Sequence, residues 1–147
     1  MFLLFHEIFE KFEKLNTREE RLNFLRKHHT PTLKEFFRGA FDPNIKFNVT
    51  IPKYKPALEP EGLNYSTLHN EMDRVYLFVV GHPKCPPNLT DIKKEGILKN
   101  MLESIHKKEA EILISLLKKD IKVKFLTAKL IKEVYPDIEI EKRKVAA

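Results

Sequence analysis

The chain has 147 residues, with 27 Lys and Arg against 21 Asp and Glu, a net charge of +6 and a pI near 9.3. A chain of this length holds one domain, and a composition of 42% apolar and 33% charged residues excludes intrinsic disorder. Four glycines and one cysteine argue against nucleotide-binding loops, which need Gly at special backbone angles, and exclude a disulfide framework or a multi-thiolate zinc site.

Met1 to Phe5 is apolar but lacks a cationic flank, and His6, Glu7, Glu10 and Lys11 interrupt it too early for a secretory leader. Leu4, Phe5, Ile8, Phe9, Phe12 and Leu15 then recur at steps of one, three and four, which puts them on one face of a first helix. Thr17-Arg18-Glu19-Glu20 fits a capping box and predicts a second helix from about Arg18 to Lys27. Thr30-Pro31, a hydroxyl cap followed by a proline that has no N–H to lose, opens a third. It carries Leu33, Phe36, Phe37 and Phe41 and stops at Asp42-Pro43. At this spacing Phe9, Phe12, Phe36, Phe37 and Phe41 read as core and not as a platform for bases.

Prolines at 43, 52, 56 and 60 delete backbone donors and make residues 42–63 an ordered loop, with one short extended run at Ile45 to Ile51. A fourth helix is predicted from about Ser66 to Val80, with Leu68, Met72, Val75, Tyr76 and Val79 inward. After a second proline-rich loop, Gly81 to Asn88, Thr90 caps a fifth helix bearing Ile97, Leu98, Met101, Leu102 and Ile105. His106 to Lys118 forms a sixth, apolar nearly all round and therefore central. Thr127 caps a seventh, which ends before Pro136. The fold expected is all-α: an irregular bundle of six or seven short helices in one domain, residues 1–138, with a charged, frayed tail at 139–147.

The charge is uneven. Residues 1–40 carry a net +2, residues 41–80 a net −1 and residues 81–147 a net +5. Lys118, Lys119, Lys122, Lys124, Lys129 and Lys132 crowd a stretch whose only acid is Asp120. With Thr127 and the first turn of the last helix they form a candidate phosphate clamp, since free N–H groups, the helix dipole and lysines all favour an anion. Phosphate contacts supply affinity without sequence information. The competing reading is an ordinary solvated face.

Catalytic patterns are missing. No His-Glu-x-x-His occurs, Ser66, Ser104 and Ser115 lie outside any Gly-x-Ser-x-Gly elbow, and His82-Pro83-Lys84-Cys85 lacks a second ligand pair. Glu109 and Glu111 read as surface carboxylates near lysines.

The order of features carries a resemblance. Leu33-Lys34-Glu35-Phe36-Phe37-Arg38-Gly39-Ala40-Phe41 is followed by Phe47 and Pro52-Lys53-Tyr54-Lys55-Pro56. Glu111-Ile112-Leu113 then runs into Lys119-Asp120-Ile121, and Lys132-Glu133-Val134-Tyr135-Pro136-Asp137-Ile138 closes the set. From about Leu4 to Ile138 this resembles the all-helical N-terminal DNA-binding domain of the ATP-dependent DNA ligases of T-even-type phages. It is also similar to a family of small proteins of marine myophages. The resemblance implies a module that grips duplex phosphates from the minor groove, with Lys119 standing where the ligase motif has arginine, Asp120 at its aspartate and Ile121 at its leucine. The ligase turn continues with glycine, whereas Lys122-Val123-Lys124-Phe125 occupies that place here. No glycine follows an aspartate, so the Lys-x-Asp-Gly adenylation motif is lacking and no ligase chemistry is expected.

The function expected is a non-enzymatic, phage-type DNA-binding protein of the host cytoplasm, without cofactor or metal. It would take double-stranded DNA through Lys118, Lys119, Lys122, Lys124, Thr127, Lys129 and Lys132 and would have no membrane association. The alternative is a protein-interaction adaptor for a host or phage replication or transcription factor, offering the acid-rich Glu59 to Glu71 region as its surface.

Overall fold

Threonine hydroxyls start most of the helices. In the computed structural model, which describes residues 4–43, 45–60, 63–121 and 123–138, Thr17, Thr30, Thr67, Thr90 and Thr127 each accept a hydrogen bond from the backbone N–H three residues on, at 3.0–3.2 Å. They open α2 (Arg18–Lys27), α3 (Pro31–Phe41), α4 (Leu68–Glu71), α5 (Asp91–Ser104) and α7 (Ala128–Val134). The remaining two are α1 (Phe5–Glu13) and α6 (Lys107–Leu117). His106 caps α6, its Nδ1 accepting from the Lys108 N–H at 3.1 Å. The described residues therefore form an irregular all-α bundle, as the periodicity predicted. The tail expected from residue 139 lies outside them.

The aromatic faces of α1 and α3 meet. Phe5 stands edge-on to Phe36 at 5.3 Å between ring centroids, and Phe9 and Phe37 flank Phe36 at 5.6 and 5.8 Å. Phe9, Phe12, Phe36 and Phe37 are buried, so they are core, while Phe41 is half-buried beside them. α6 is central, packing against α1, α3, α4 and α5. At Gly39 the approach of α3 is so close that an added Cβ would lie 3.2 Å from Phe47 and 3.3 Å from Leu116.

The fourth helix differs from the expectation. Only Leu68–Glu71 is α-helical; Met72–Phe78 tightens into a 3₁₀ helix and Val79 is extended. The cause lies in residues 45–51. The Phe78 carbonyl accepts from the Asn48 N–H at 2.7 Å, and the Val80 N–H donates to the Lys46 carbonyl at 2.8 Å. These bonds frame an isolated antiparallel bridge between Phe47 and Val79. A 3₁₀ helix rises about 2.0 Å per residue against about 1.5 Å for α, and the longer reach delivers Val79 to that bridge. The inward spacing becomes three, so Val75 and Phe78 are buried and Val79 is only half-buried.

A second correction concerns Glu109, read from the sequence as a surface carboxylate. It is 1% exposed. From the first turn of α6 its carboxylate accepts the Phe5 N–H of α1 at 3.0 Å and the Leu68 N–H of α4 at 3.1 Å. Both donors are helix-start groups without an intrahelical partner. Burial raises the Glu109 carboxyl above its ordinary range, while the two N–H donors act the other way.

Replacing Glu109 with Ala leaves both N–H groups buried and unpaired, at a cost on the order of 1–3 kcal/mol each. Chemical denaturation should show E109A losing most, with E109Q intermediate because its amide keeps one acceptor oxygen. For an acid whose folded pKa is raised, stability is greatest below the unfolded pKa and falls as pH rises through the folded one. Relative to E109Q, the wild type should therefore lose stability from about pH 4 upward and then level off. An opposite slope in that difference would mean the carboxylate is stabilised by its site.

Candidate nucleic-acid interface

The lysine-rich stretch begins where α6 ends. The Lys119 N–H donates to the Leu116 carbonyl and the Asp120 N–H to the Ser115 carbonyl, both at 2.9 Å. Lys119 is left-handed with φ 54°. This is a Schellman closure in which lysine stands where glycine is usual.

The Lys119 side chain explains the exception. Its ammonium donates to the carbonyls of Gly39 at 3.0 Å, Asp42 at 2.6 Å and Ile45 at 2.7 Å. Gly39 and Asp42 lie at the C-terminal end of α3, whose last carbonyls have no intrahelical donors and carry the negative pole of the dipole. Lys119 was the sequence-derived counterpart of the ligase arginine. Here its three protons are directed into the fold.

The other candidate residues lie outside. Lys118, Lys124, Thr127, Lys129 and Lys132 are exposed; Lys122 lies outside the described residues. Lys124 is anchored through its backbone, whose N–H donates to Glu13 at 2.9 Å, so its side chain is not the group held. Lys129 and Lys132, three apart, share the outer face of α7 opposite the buried Leu130 and Ile131. The Lys132 ammonium donates to the Ile138 carbonyl at 3.0 Å. Thr127 accepts the Leu130 N–H and caps its own helix, which at seven residues has little dipole to offer. The positive character here rests on side chains.

Sequence reasoning missed the contribution of α2, which packs against α7. The Arg18 guanidinium forks onto Glu133, one bond at 2.8 Å, and holds that carboxyl below its usual range. One acid of α7 is thereby neutralised. The Arg21 guanidinium lies 3.7 Å over the ring of Phe125. Arg26, His29 and Lys34 border a cavity of about 520 Å³ with Pro31, Val134 and Tyr135. The Tyr135 hydroxyl pairs with His29 Nδ1 at 2.9 Å, and burial pushes its phenol up to about 12. Lys34 is paired with Asp137. A readable signal existed: six of the ten residues of α2 are charged, and it fully buries only Leu25, with Leu22 and Phe24 partly buried against the core, which suits a helix lying across a charged surface.

A larger cavity, about 640 Å³, opens between α3 and the 3₁₀ helix. Its rim mixes signs, with Glu35 and Asp73 facing Arg38 and Lys84, so it does not suit a polyanion. Beside it the Cys85 thiol donates to the Leu77 carbonyl at 3.5 Å, and His82 Nδ1 accepts the Lys84 N–H at 3.0 Å. Among the described residues, no cluster of three or more His, Cys, Asp or Glu is poised for a metal. No helix among them is long and apolar enough to cross a membrane.

In comparisons with known proteins, residues 8–123 match the family described as Family of unknown function (DUF6433). The chain belongs to this family. No curated protein matches it. The DUF6433 match takes in the Lys119 cap and the bridge at Phe47, and it ends at Val123 inside the basic turn. Lys124, Phe125, Thr127 and α7 follow the matched residues.

If Lys119 serves the fold, Lys119→Met, which keeps the aliphatic stem and removes the charge, should lower unfolding free energy by about 2–4 kcal/mol, since hydrogen bonds to charged groups are the strong ones. Urea denaturation checks this. A variant as stable as the wild type would return Lys119 to the set of surface cations.

Proposed function

We propose that the chain is a non-enzymatic DNA-binding protein that grips the phosphate backbone of duplex DNA with little sequence specificity. The residues proposed are Lys118, Lys122, Lys124, Lys129 and Lys132, with the Thr127 hydroxyl beside them. One observation carries this reading. Exposed lysines gather around the α6–α7 turn and the outer face of α7, while Glu133 on that helix is neutralised by Arg18. A surface of that kind attracts a polyanion and releases condensed counterions on binding. Arg26, which lines a cavity with Val134 of α7, extends the positive region. The resemblance to the DNA-binding domain of T-even-type phage ligases supports the same reading, and from it we infer a phage-encoded protein acting in the host cytoplasm. Lys119 is left out of the contact set because its ammonium is held by three carbonyls.

A second reading, an adaptor for a replication or transcription protein, draws on a different surface. Leu58, Leu63 and Tyr65 are all strongly exposed, Tyr65 at 98%. Apolar side chains so close in sequence and so open suit a protein partner. The acidic patch once assigned to that surface is smaller than expected, because Glu71 is buried and accepts Ser66 Oγ and the Arg74 guanidinium, both at 2.6 Å.

Salt separates the two. Duplex affinity should fall with a log–log slope of roughly −0.9 per phosphate contact. Replacing Lys118, Lys124 and Lys129 together with Ala should flatten that slope by roughly 1 per lysine with helicity unchanged by circular dichroism. A slope unmoved by the triple substitution removes this site; absence of duplex binding by the wild type at low salt removes the DNA reading and leaves the exposed Leu58, Leu63 and Tyr65 as the ones to test.

A further inference from the structure

We infer that Phe125 is a stacking platform for an exposed nucleobase, so that the DNA preferred by this surface is one that offers an unstacked base: a single strand, a gap or a frayed end. The inference rests on the DNA-binding reading and sharpens its ligand.

Two features that folding alone disfavours coincide at Phe125. Its backbone is left-handed, φ 69°, a conformation uncommon for any residue but glycine, asparagine or aspartate and a true outlier for a bulky one. The residue is also open to solvent, 51% exposed, between a buried Leu126 and an exposed Lys124. The turn explains the backbone. Leu126 donates its N–H to the Val123 carbonyl at 3.3 Å, and the positive φ lets the chain reverse so that Leu126 turns inward before Thr127 caps α7. Glycine or asparagine would make that turn without exposing an apolar ring. What phenylalanine adds is the ring itself.

The ring is also held. The Arg21 guanidinium lies over it at 3.7 Å, and stacking of a planar cation on one face limits the rotamers available to the aromatic. Backbone and side chain together present a fixed aromatic surface in the middle of the lysine stretch. Glu13 directs its carboxylate to the Lys124 N–H, and with Glu10 and Glu111 it lines a cavity at Val123, before the ring. Aromatic rings interleaved with cations are the means by which proteins hold unpaired strands, the ring taking a base and the cations its flanking phosphates. In intact duplex every base is already stacked, and Phe125 has nothing to take.

The chain contains no tryptophan, so Phe125→Trp installs a single emission reporter at the proposed contact. Labelled oligonucleotides provide the binding signal by anisotropy: an oligothymidylate strand, a blunt duplex and the same duplex with a one-nucleotide gap. The expected result is that the strand and the gapped duplex quench F125W emission while the blunt duplex binds with little quenching. Phe125→Ala should weaken strand and gap binding by roughly tenfold, within the range known for one base–aromatic stack, and leave blunt-duplex affinity unchanged. Phe125→Gly, which suits the left-handed backbone, should match it and answers for any loss of fold in F125A. If all three DNAs bind alike, F125W emission is unmoved and F125A is silent, the stacking assignment fails while phosphate binding stands. If no DNA binds the wild type, both fail together.

Discussion

The packing of this bundle turns on a carboxylate that is costly to bury. Glu109 sits in the first turn of α6, and its two oxygens collect the first backbone N–H of α1 and of α4. Three helix starts therefore meet at one acid, and each start carries unsatisfied donors and a positive partial charge. Taking the carboxylate out of water raises its pKa, which is the direct sign that desolvation outweighs the donors. The arrangement persists because the donors are worse off alone: an unpaired buried N–H is as costly as a lost hydrogen bond and gains nothing in return. His106, which caps the same helix, stacks on His6 of α1 at 4.5 Å, so polar groups fix the end of the α1–α6 seam while the phenylalanines of α1 pack on α3.

The other end of α6 repeats the device with the sign reversed. Just past its C-terminus Lys119 directs an ammonium into the carbonyls at the end of α3. An acid near the N-terminus and a cation near the C-terminus both suit the dipole of α6, yet each is spent on a neighbouring helix. α6 thus acts as a strut whose two charged ends fasten α1, α4 and α3, with Leu113 and Leu116 buried between them. A left-handed lysine is the local cost of placing that ammonium, and the same closure sets the direction in which the basic turn leaves the bundle.

How much of this was legible follows from the range of each interaction. The threonine caps bond a backbone N–H three residues away, so Thr17, Thr30, Thr90 and Thr127 announce their helices in the sequence. Glu109 and Lys119 bond residues 104, 41, 80, 77 and 74 positions away, and nothing local marks either as internal. For that reason Glu109 read as a surface carboxylate and Lys119 as a phosphate contact. The 3₁₀ stretch is a similar case: Met72–Phe78 has an acceptable α pattern, and only the bridge to Phe47 makes the longer rise worthwhile. Phe125 was legible only as a residue of the turn that replaces the ligase glycine, because its exposure depends on a backbone angle that composition does not reveal.

These distinctions also decide how the charge of the chain should be counted. A run of lysines is a single feature in a sequence but two populations in a fold. Lys119 belongs to the scaffold and would hold α3 whether or not a polyanion ever arrives. Lys118, Lys124 and Lys129 are exposed and make no such internal bond through the contacts described, so their mutual repulsion is a cost that the bundle carries with no structural return. α2 adds Arg21 above Phe125 and spends Arg18 on the one carboxylate of α7 that would otherwise weaken the field. On the DNA-binding proposal, the exposed Lys118, Lys124 and Lys129, the pairing of Glu133 with Arg18 and the exposed Phe125 together make a surface suited to a ligand that brings both negative charge and a planar face.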